Sequence, residues 1–247
     1  MAITQAALEQ KDRIPRMRTF AYQGETPDTA DLSNPLEAYF WSHEGTVVHK
    51  WHHYFKIYDR YFSSFRGKPV KMLEIGVSKG GSLDMWRSYL GDEATIFGID
   101  IDAKCAAYDG KSAQVRIGSQ ADPAFLKDVV DEMGGIDLVL DDGSHDSHHI
   151  RASLAALYPR LTNGGVYMIE DLHAAYWPNF SGGYNAPTSF MNDVKQMIDD
   201  MHHWYHGHGE KLGPTDGALA GLHVYDSIVV LEKAIVAKPL HTKMGQR

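Results

Sequence analysis

At 247 residues with 43% apolar side chains, including 13 Tyr, 9 Phe and 5 Trp, the chain can bury one large α/β core behind an N-terminal extension, which excludes global disorder. The formal net charge is −8 and Lys and Arg never gather into a block, which excludes a nucleic-acid partner needing a basic stripe against its phosphates.

Residues 1 to about 35 carry Pro15, Gly24, Pro27 and Pro35 with little periodicity, so residues 1–45 read as a loosely ordered arm ahead of one domain over 46–240. Tyr54, Tyr58, Tyr61 and Phe62 recur at helical spacing and predict a helix from about 51 to 65, its aromatic stripe against the core. Strand and helix signals then alternate. Strands are expected over 70–76, 94–100, 113–118, 136–141 and 165–170, and helices over 82–90, 123–133, 147–161 and 189–205. This alternation predicts a mostly parallel sheet covered on both faces. A last pair of strands around His223 and Val229 shares a turn at Asp226 too short for a crossover helix, so that pair is expected to be antiparallel. Histidines cluster at His145/His148/His149 and at His202/His203/His206/His208. No Cys pairs accompany them, and Gly207 and Gly209 interrupt the second group, which reads as a solvated helix end.

Chemistry enters at Leu73-Glu74-Ile75-Gly76-Val77-Ser78-Lys79-Gly80-Gly81-Ser82. Glycines at a strand-to-helix turn let the backbone approach a ligand, and Asp100, ending the next strand, can accept both hydroxyls of a ribose. Val77-Ser78-Lys79 fills the stretch where a dinucleotide fingerprint needs its second glycine, which argues against a nicotinamide cofactor. The second constellation is Asp141-Asp142-Gly143-Ser144-His145 after the fourth strand, with Glu170-Asp171-Leu172-His173 after the fifth. In neighbouring strands, Asp142, Glu170 and Asp171 would share the crevice where open α/β sheets bind ligands, and their repulsion calls for a cation. All-oxygen ligands favour Mg²⁺, with Mn²⁺ second. His145 beside that ion is suited to take a proton from a hydroxyl acidified by the metal. The plainer alternative has Asp141 and Asp142 capping the next helix and His145 as an ordinary surface residue.

Together with Lys50-Trp51-His52-His53-Tyr54, these segments resemble the metal-dependent sugar O-methyltransferase group of the class I S-adenosylmethionine-dependent methyltransferases, over about residues 45–235. The resemblance covers the catalytic domain of macrolide-sugar enzymes and short actinobacterial enzymes acting on mannose- or glucose-containing polysaccharides. It implies a Rossmann-like fold with a mostly parallel seven-stranded sheet and an antiparallel last strand. It further implies that Glu74, Gly76 and Ser82 line the methionine end of S-adenosyl-L-methionine, that Asp100 binds its ribose and Gln120 its adenine. Asp141 would lie near the sulfonium arm, and His52 and Tyr54 would close the pocket. Asp142, Glu170 and Asp171 would be the metal ligands and His145 the general base. Macrolide-sugar enzymes carry a separate N-terminal domain with no counterpart of that size before residue 45.

The expected function is Mg²⁺-assisted methylation of a sugar hydroxyl, in a polysaccharide precursor or a glycosylated natural product such as an antibiotic. Catechol-type O-methylation and non-catalytic cofactor binding remain as alternatives. The aromatic, glycine-bearing segment from Tyr176 to Phe190 is a candidate lid over the sugar. The expected partners are a small sugar or glycoside and a second copy of the chain in a homodimer. The single Cys105 excludes an internal disulfide, residues 1–5 lack a signal-peptide pattern, and the apolar run 227–237 is interrupted by Glu232 and Lys233. A cytoplasmic enzyme without membrane contact is therefore expected.

Overall fold

A computed structural model describes residues 25–206, 215 and 217–246; residues 1–24 of the expected arm, and His208, lie outside them. The strands are β1 (Lys71–Ile75), β2 (Thr95–Asp100), β3 (Gln114–Ile117), β4 (Ile136–Asp141), β5 (Leu161–Ile169), β6 (Leu219–Val224) and β7 (Val229–Lys233). Among the described residues they form one seven-stranded sheet in the order β3-β2-β1-β4-β5-β7-β6. The first five are parallel, and β7 runs antiparallel to both β5 and β6. This is the class I methyltransferase architecture. The strand order reverses where β1 lies between β2 and β4, and a parallel sheet opens its ligand crevice beyond the carboxyl ends at such a point.

Period-two alternation assigns each strand residue to one of two cores. Met72, Leu138, Leu140, Val166, Met168 and Val230 pack against helices α1 (Pro35–Ser42), α2 (Tyr54–Phe62) and α3 (Gly81–Leu90). Leu73, Ile75, Val139, Tyr167, Ile169 and Leu231 pack against α4 (Pro123–Met133), α5 (Ser147–Leu157) and α6 (Phe190–Met201). The aromatic stripe of α2 is buried as its spacing demands, with Tyr54, Tyr58, Tyr61 and Phe62 in the first core.

The differences from the sequence reading have local causes. Helix α1 falls inside the segment expected to be loosely ordered: the Asn34 carboxamide oxygen accepts from the backbone N–H groups of Leu36 and Glu37, and Pro35 starts the first turn. Helix α2 begins at Tyr54 and finishes in a 3₁₀ turn over Ser63–Phe65. Helix α5 stops at Leu157 because Pro159, with no N–H to give, lies in the 3₁₀ turn Tyr158–Arg160. Strand β5 starts at Leu161, four residues early, and its register against β4 shifts between Ile136 and Leu138. At the end of α6 the rings of His202, His203 and His206 bond the carbonyls of Ile198, Asp200 and Asp199, as a helix end requires. Among the described residues no helix is long and apolar enough to cross a membrane.

Gly76 sits at φ 97°, and a Cβ there would overlap the Asp142 carbonyl oxygen, whereas Gly110 at φ 72° faces open space. Gly110→Ala should therefore cost only the left-handed penalty of about 1 kcal/mol, and Gly76→Ala roughly 3 kcal/mol or more, since a backbone clash is added. Urea unfolding of the two variants measures this; equal losses would refute the close-approach argument.

Candidate active site

The crevice beyond β1, β4 and β5 holds two adjoining pockets. One, of about 340 Å³, is lined by Gly76, Ser78, Asp100, Gly118, Gln120 and Gly143 among others. The other, of about 250 Å³, is lined by residues 47–50, the turn 76–79, Ser82, Asp142, His145 and Asp171. Gly76, Ser78, Asp142 and Gly143 border both.

The strand faces decide where each acid points. Glu74 lies on the α2–α3 side of β1, fully buried, and accepts hydrogen bonds from Ser82 Oγ (2.9 Å) and Trp86 Nε1 (2.9 Å). Burial pushes its carboxyl up to about 7, against the opposing pull of the Lys50 charge. Asp141 lies on the other face, with Val139, and turns away from both pockets. Its carboxylate accepts from Gln120 Nε2 (3.0 Å) and Ser153 Oγ (2.6 Å), with the Tyr167 hydroxyl at 3.4 Å. Gln120 also accepts from the Ser144 N–H (2.7 Å), so the Asp141–Gln120 pair anchors the loop that carries Asp142 and His145. Asp141 therefore stands as a buried support under the loop. Asp100 holds the turn: Oδ2 accepts from the N–H groups of Val77 (3.0 Å) and Ser78 (2.9 Å), and Oδ1 from Asp102 (2.8 Å). Partial burial raises its pKa, but these N–H donors outweigh it and the net shift is downward.

Asp142, His145 and Asp171 each bring one ligand atom within 4.8 Å of the others. His145 Nε2 lies 3.9 Å from Asp142 Oδ1 and 3.8 Å from Asp171 Oδ2. Both His145 and Asp171 adopt φ 57°, a left-handed conformation that non-glycine residues hold only where the surroundings enforce it. Asp171 is held by the Tyr54 hydroxyl, which donates to Oδ1 (2.6 Å).

Glu170 has protein donors of its own. It is buried on the α2 side, where Lys50 donates to Oε1 and the Tyr58 hydroxyl to Oε2, so each of its oxygens already has a donor. Lys50 Nζ also donates to Asp142 Oδ2 at 2.5 Å. Burial works against the Lys50 charge, yet Asp142 and Glu170 outweigh it and hold the lysine well above its ordinary pKa. Burial likewise raises Asp142, but Lys50 reverses the balance and its net shift is down. Glu170 moves well up, from burial and the adjacent Asp142 charge. The Asp142 and Asp171 carboxylates suit a hard divalent ion completed by water, with the His145 ring close beside them.

His52 lies apart from this cluster. It is exposed, edge-on to Trp41 at 5.0 Å, and borders neither pocket; His49 and Lys50 stand where it was expected. Residues 46–47 lie on the start of α3, where a Cβ on Gly81 would overlap the carbonyl oxygens of Thr46 and Val47. Thr46 Oγ1 donates to Asp84 there (2.7 Å). On the opposite rim, Phe180 lies 6.4 Å from the His145 ring and 6.0 Å from Trp177, which meets His173 edge-on at 4.9 Å. Ser181 donates to Asp146 (2.6 Å) and fixes this aromatic segment to the cap of α5.

Residues 73–172 match a family described as a methyltransferase domain. The chain is 37% identical over 196 residues to the 8-demethyl-8-alpha-L-rhamnosyl tetracenomycin-C 2'-O-methyltransferase of Streptomyces olivaceus, covering 74% of this chain and 51% of that protein. It is 35% identical over 219 residues to the mycinamicin VI 2''-O-methyltransferase of Micromonospora griseorubida, covering 84% and 53%. Among solved structures, the MycE methyltransferase from the mycinamycin biosynthetic pathway, in complex with Mg, SAH and mycinamycin VI, aligns with a TM-score of 0.70 and 34% identity. That alignment covers 83% of this chain and 54% of the other. The chain thus spans about half the length of the relatives it matches.

The folded-state pKa of Glu74, about 7, lies above its ordinary 4.5, so the protonated form favours folding. That contribution is complete below about 4.5 and is lost as pH rises through about 7. Glu74→Gln, which stays neutral, should stabilise the ligand-free protein at pH 8 by on the order of 2 kcal/mol and change little at pH 4.5. Chemical unfolding at the two pH values tests this, and a gain independent of pH would contradict it.

Proposed function

We propose, since the chain matches a methyltransferase domain and is similar to O-methyltransferases acting on rhamnosyl tetracenomycin-C and mycinamicin VI, that it transfers a methyl group from S-adenosylmethionine to a sugar hydroxyl with the help of Mg²⁺. The observation that carries this reading is that Asp142, Asp171 and His145 converge in a pocket that also contains the Gly76 turn and Ser82. When bound, the divalent ion supplies charge against a developing alkoxide and the cofactor supplies an electrophilic methyl group.

The chain's own residues do the rest. Asp142 and Asp171 would hold the ion, with Mn²⁺ an acceptable substitute. His145 Nε2 would take the proton of the acceptor hydroxyl. Asp100, kept ionised by its three backbone donors, receives the ribose hydroxyls. Gly118, Ser119 and Gln120 border the adenine end, and Ser82 with the 76–79 turn the methionine end. Phe180 and Trp177 offer apolar faces to sugar C–H groups beside His145. Alignment of hydroxyl oxygen and methyl carbon by this frame is the main source of rate.

The acceptor class that fits is a monosaccharide unit of a glycosylated natural product or of a polysaccharide precursor. The relatives' acceptors, a rhamnosyl tetracenomycin-C and mycinamicin VI, favour the former. A cytoplasmic homodimer completes the reading; a buried, unpaired Cys105 is compatible with a reducing compartment, and two-fold pairing is the commonest assembly of such enzymes.

Release of S-adenosylhomocysteine with a panel of glycosides is expected to be abolished by EDTA and restored by Mg²⁺. Turnover indifferent to EDTA would remove the ion from the mechanism. His145→Ala should cut turnover by roughly 10²-fold or more, while affinities for Mn²⁺ and S-adenosylmethionine stay within about twofold. A large loss of either affinity in that variant would count against the base role.

A further inference from the structure

We infer that Lys50 is a built-in counter-cation of the acidic crevice, which holds Asp142 and Glu170 together before metal binds and limits how tightly a divalent ion is held. This rests on the metal-assisted reading above.

Lys50 comes from the segment just before α2, outside either acidic motif, and its side chain is 3% exposed. Its ammonium donates to Asp142 Oδ2 and Glu170 Oε1, and lies 5.9 Å from the centre of the Tyr58 ring. A buried lysine is retained at that depth only where opposite charge offsets its desolvation. The converse holds for the acids: Asp142 and Glu170 both lie against the Lys50 ammonium, and Glu170, 1% exposed, otherwise has only the Tyr58 hydroxyl as donor. Asp142 is divided between the two cations: Oδ2 belongs to Lys50, while Oδ1 faces His145 and the opening towards Asp171. Lys50 thus occupies the inner side of the cluster and leaves the outer side for the ion, at the cost of repelling it.

The consequence is specific. Removing the lysine charge should strengthen binding of a divalent ion and weaken the metal-free fold, whereas a lysine that merely shaped the ligands would lower affinity when removed. The experiment is Mn²⁺ titration by electron paramagnetic resonance of the full chain, alongside thermal melting with and without Mn²⁺, for the wild type, Lys50→Met and Lys50→Arg. Lys50→Met is expected to bind Mn²⁺ about tenfold or more tightly, to melt lower without metal, and to gain more from metal than the wild type does. Lys50→Arg keeps the charge and should return Mn²⁺ affinity to near the wild-type value, even if its bulk lowers the melting temperature. Unchanged or weaker Mn²⁺ binding by Lys50→Met overturns the inference, as does tightening by both variants, because charge would then not be the cause. If Lys50→Met does not fold without metal, its recovery by Mn²⁺ still supports the counter-cation role, and failure to recover overturns it. A wild type with no Mn²⁺ affinity would instead overturn the metal reading itself, and this inference with it.

Discussion

Three carboxylates are buried at the carboxyl ends of three adjacent parallel strands, and a buried carboxylate must find donors or a counter-charge. Glu74 ends near β1, Asp141 closes β4 and Glu170 follows β5, each with 2% exposure or less. The period of the strand decides who supplies the partners. Glu74 and Glu170 share the face of α2 and α3 and are met by Ser82, Trp86, Tyr58 and Lys50. Asp141 has the opposite parity and is met by Ser153 of α5, by Gln120 and by Tyr167. The acids that face the pocket, Asp142 and Asp171, are the ones that follow a strand-end residue out of register. The loop that bears Asp142 bends over Gly76, and Asp171 is turned by its left-handed backbone.

Preorganisation follows from this layout. The groups proposed to act on the acceptor hydroxyl are held by residues set apart from that hydroxyl. Asp141 and Gln120 tie down the Asp142–His145 loop, Tyr54 orients Asp171, and Asp100 fixes the turn at Val77 and Ser78. Short strands with fully covered faces place these supports on rigid elements, and precision at a site depends on such backing.

Much of the sheet was legible because apolar runs of strand length alternate with helical stretches. The expected strand over 136–141 coincides with β4, and that over 94–100 lies within a residue of β2. The two acidic motifs were legible as a pair since both close neighbouring strands. What escaped was non-local or a matter of parity. Lys50 meets acids 92 and 120 residues away, and nothing near it in the chain announces them. Tyr58 read only as core, although its hydroxyl reaches Glu170. Alternation along β4 and β5 sends Asp141 and Glu170 to opposite faces of the sheet, each to donors that the motifs do not name. His52 was grouped with Tyr54, but it lies in the turn before α2 and its ring meets Trp41. Helix α1 was hidden by the prolines around it, even though Asn34-Pro35-Leu36-Glu37 carries a capping pattern.

Strand β7 is last in sequence yet lies inside the sheet, between β5 and β6, with Val229 paired to Ile169 next to Glu170. The Ser227 carbonyl accepts the Leu172 N–H, and its hydroxyl contacts His173, so the turn ahead of β7 closes one wall of the acidic crevice. During synthesis the crevice therefore stays incomplete until residues beyond 227 have left the ribosome. Until then β5 presents a bare hydrogen-bonding edge, the surface on which nascent chains aggregate or recruit chaperones.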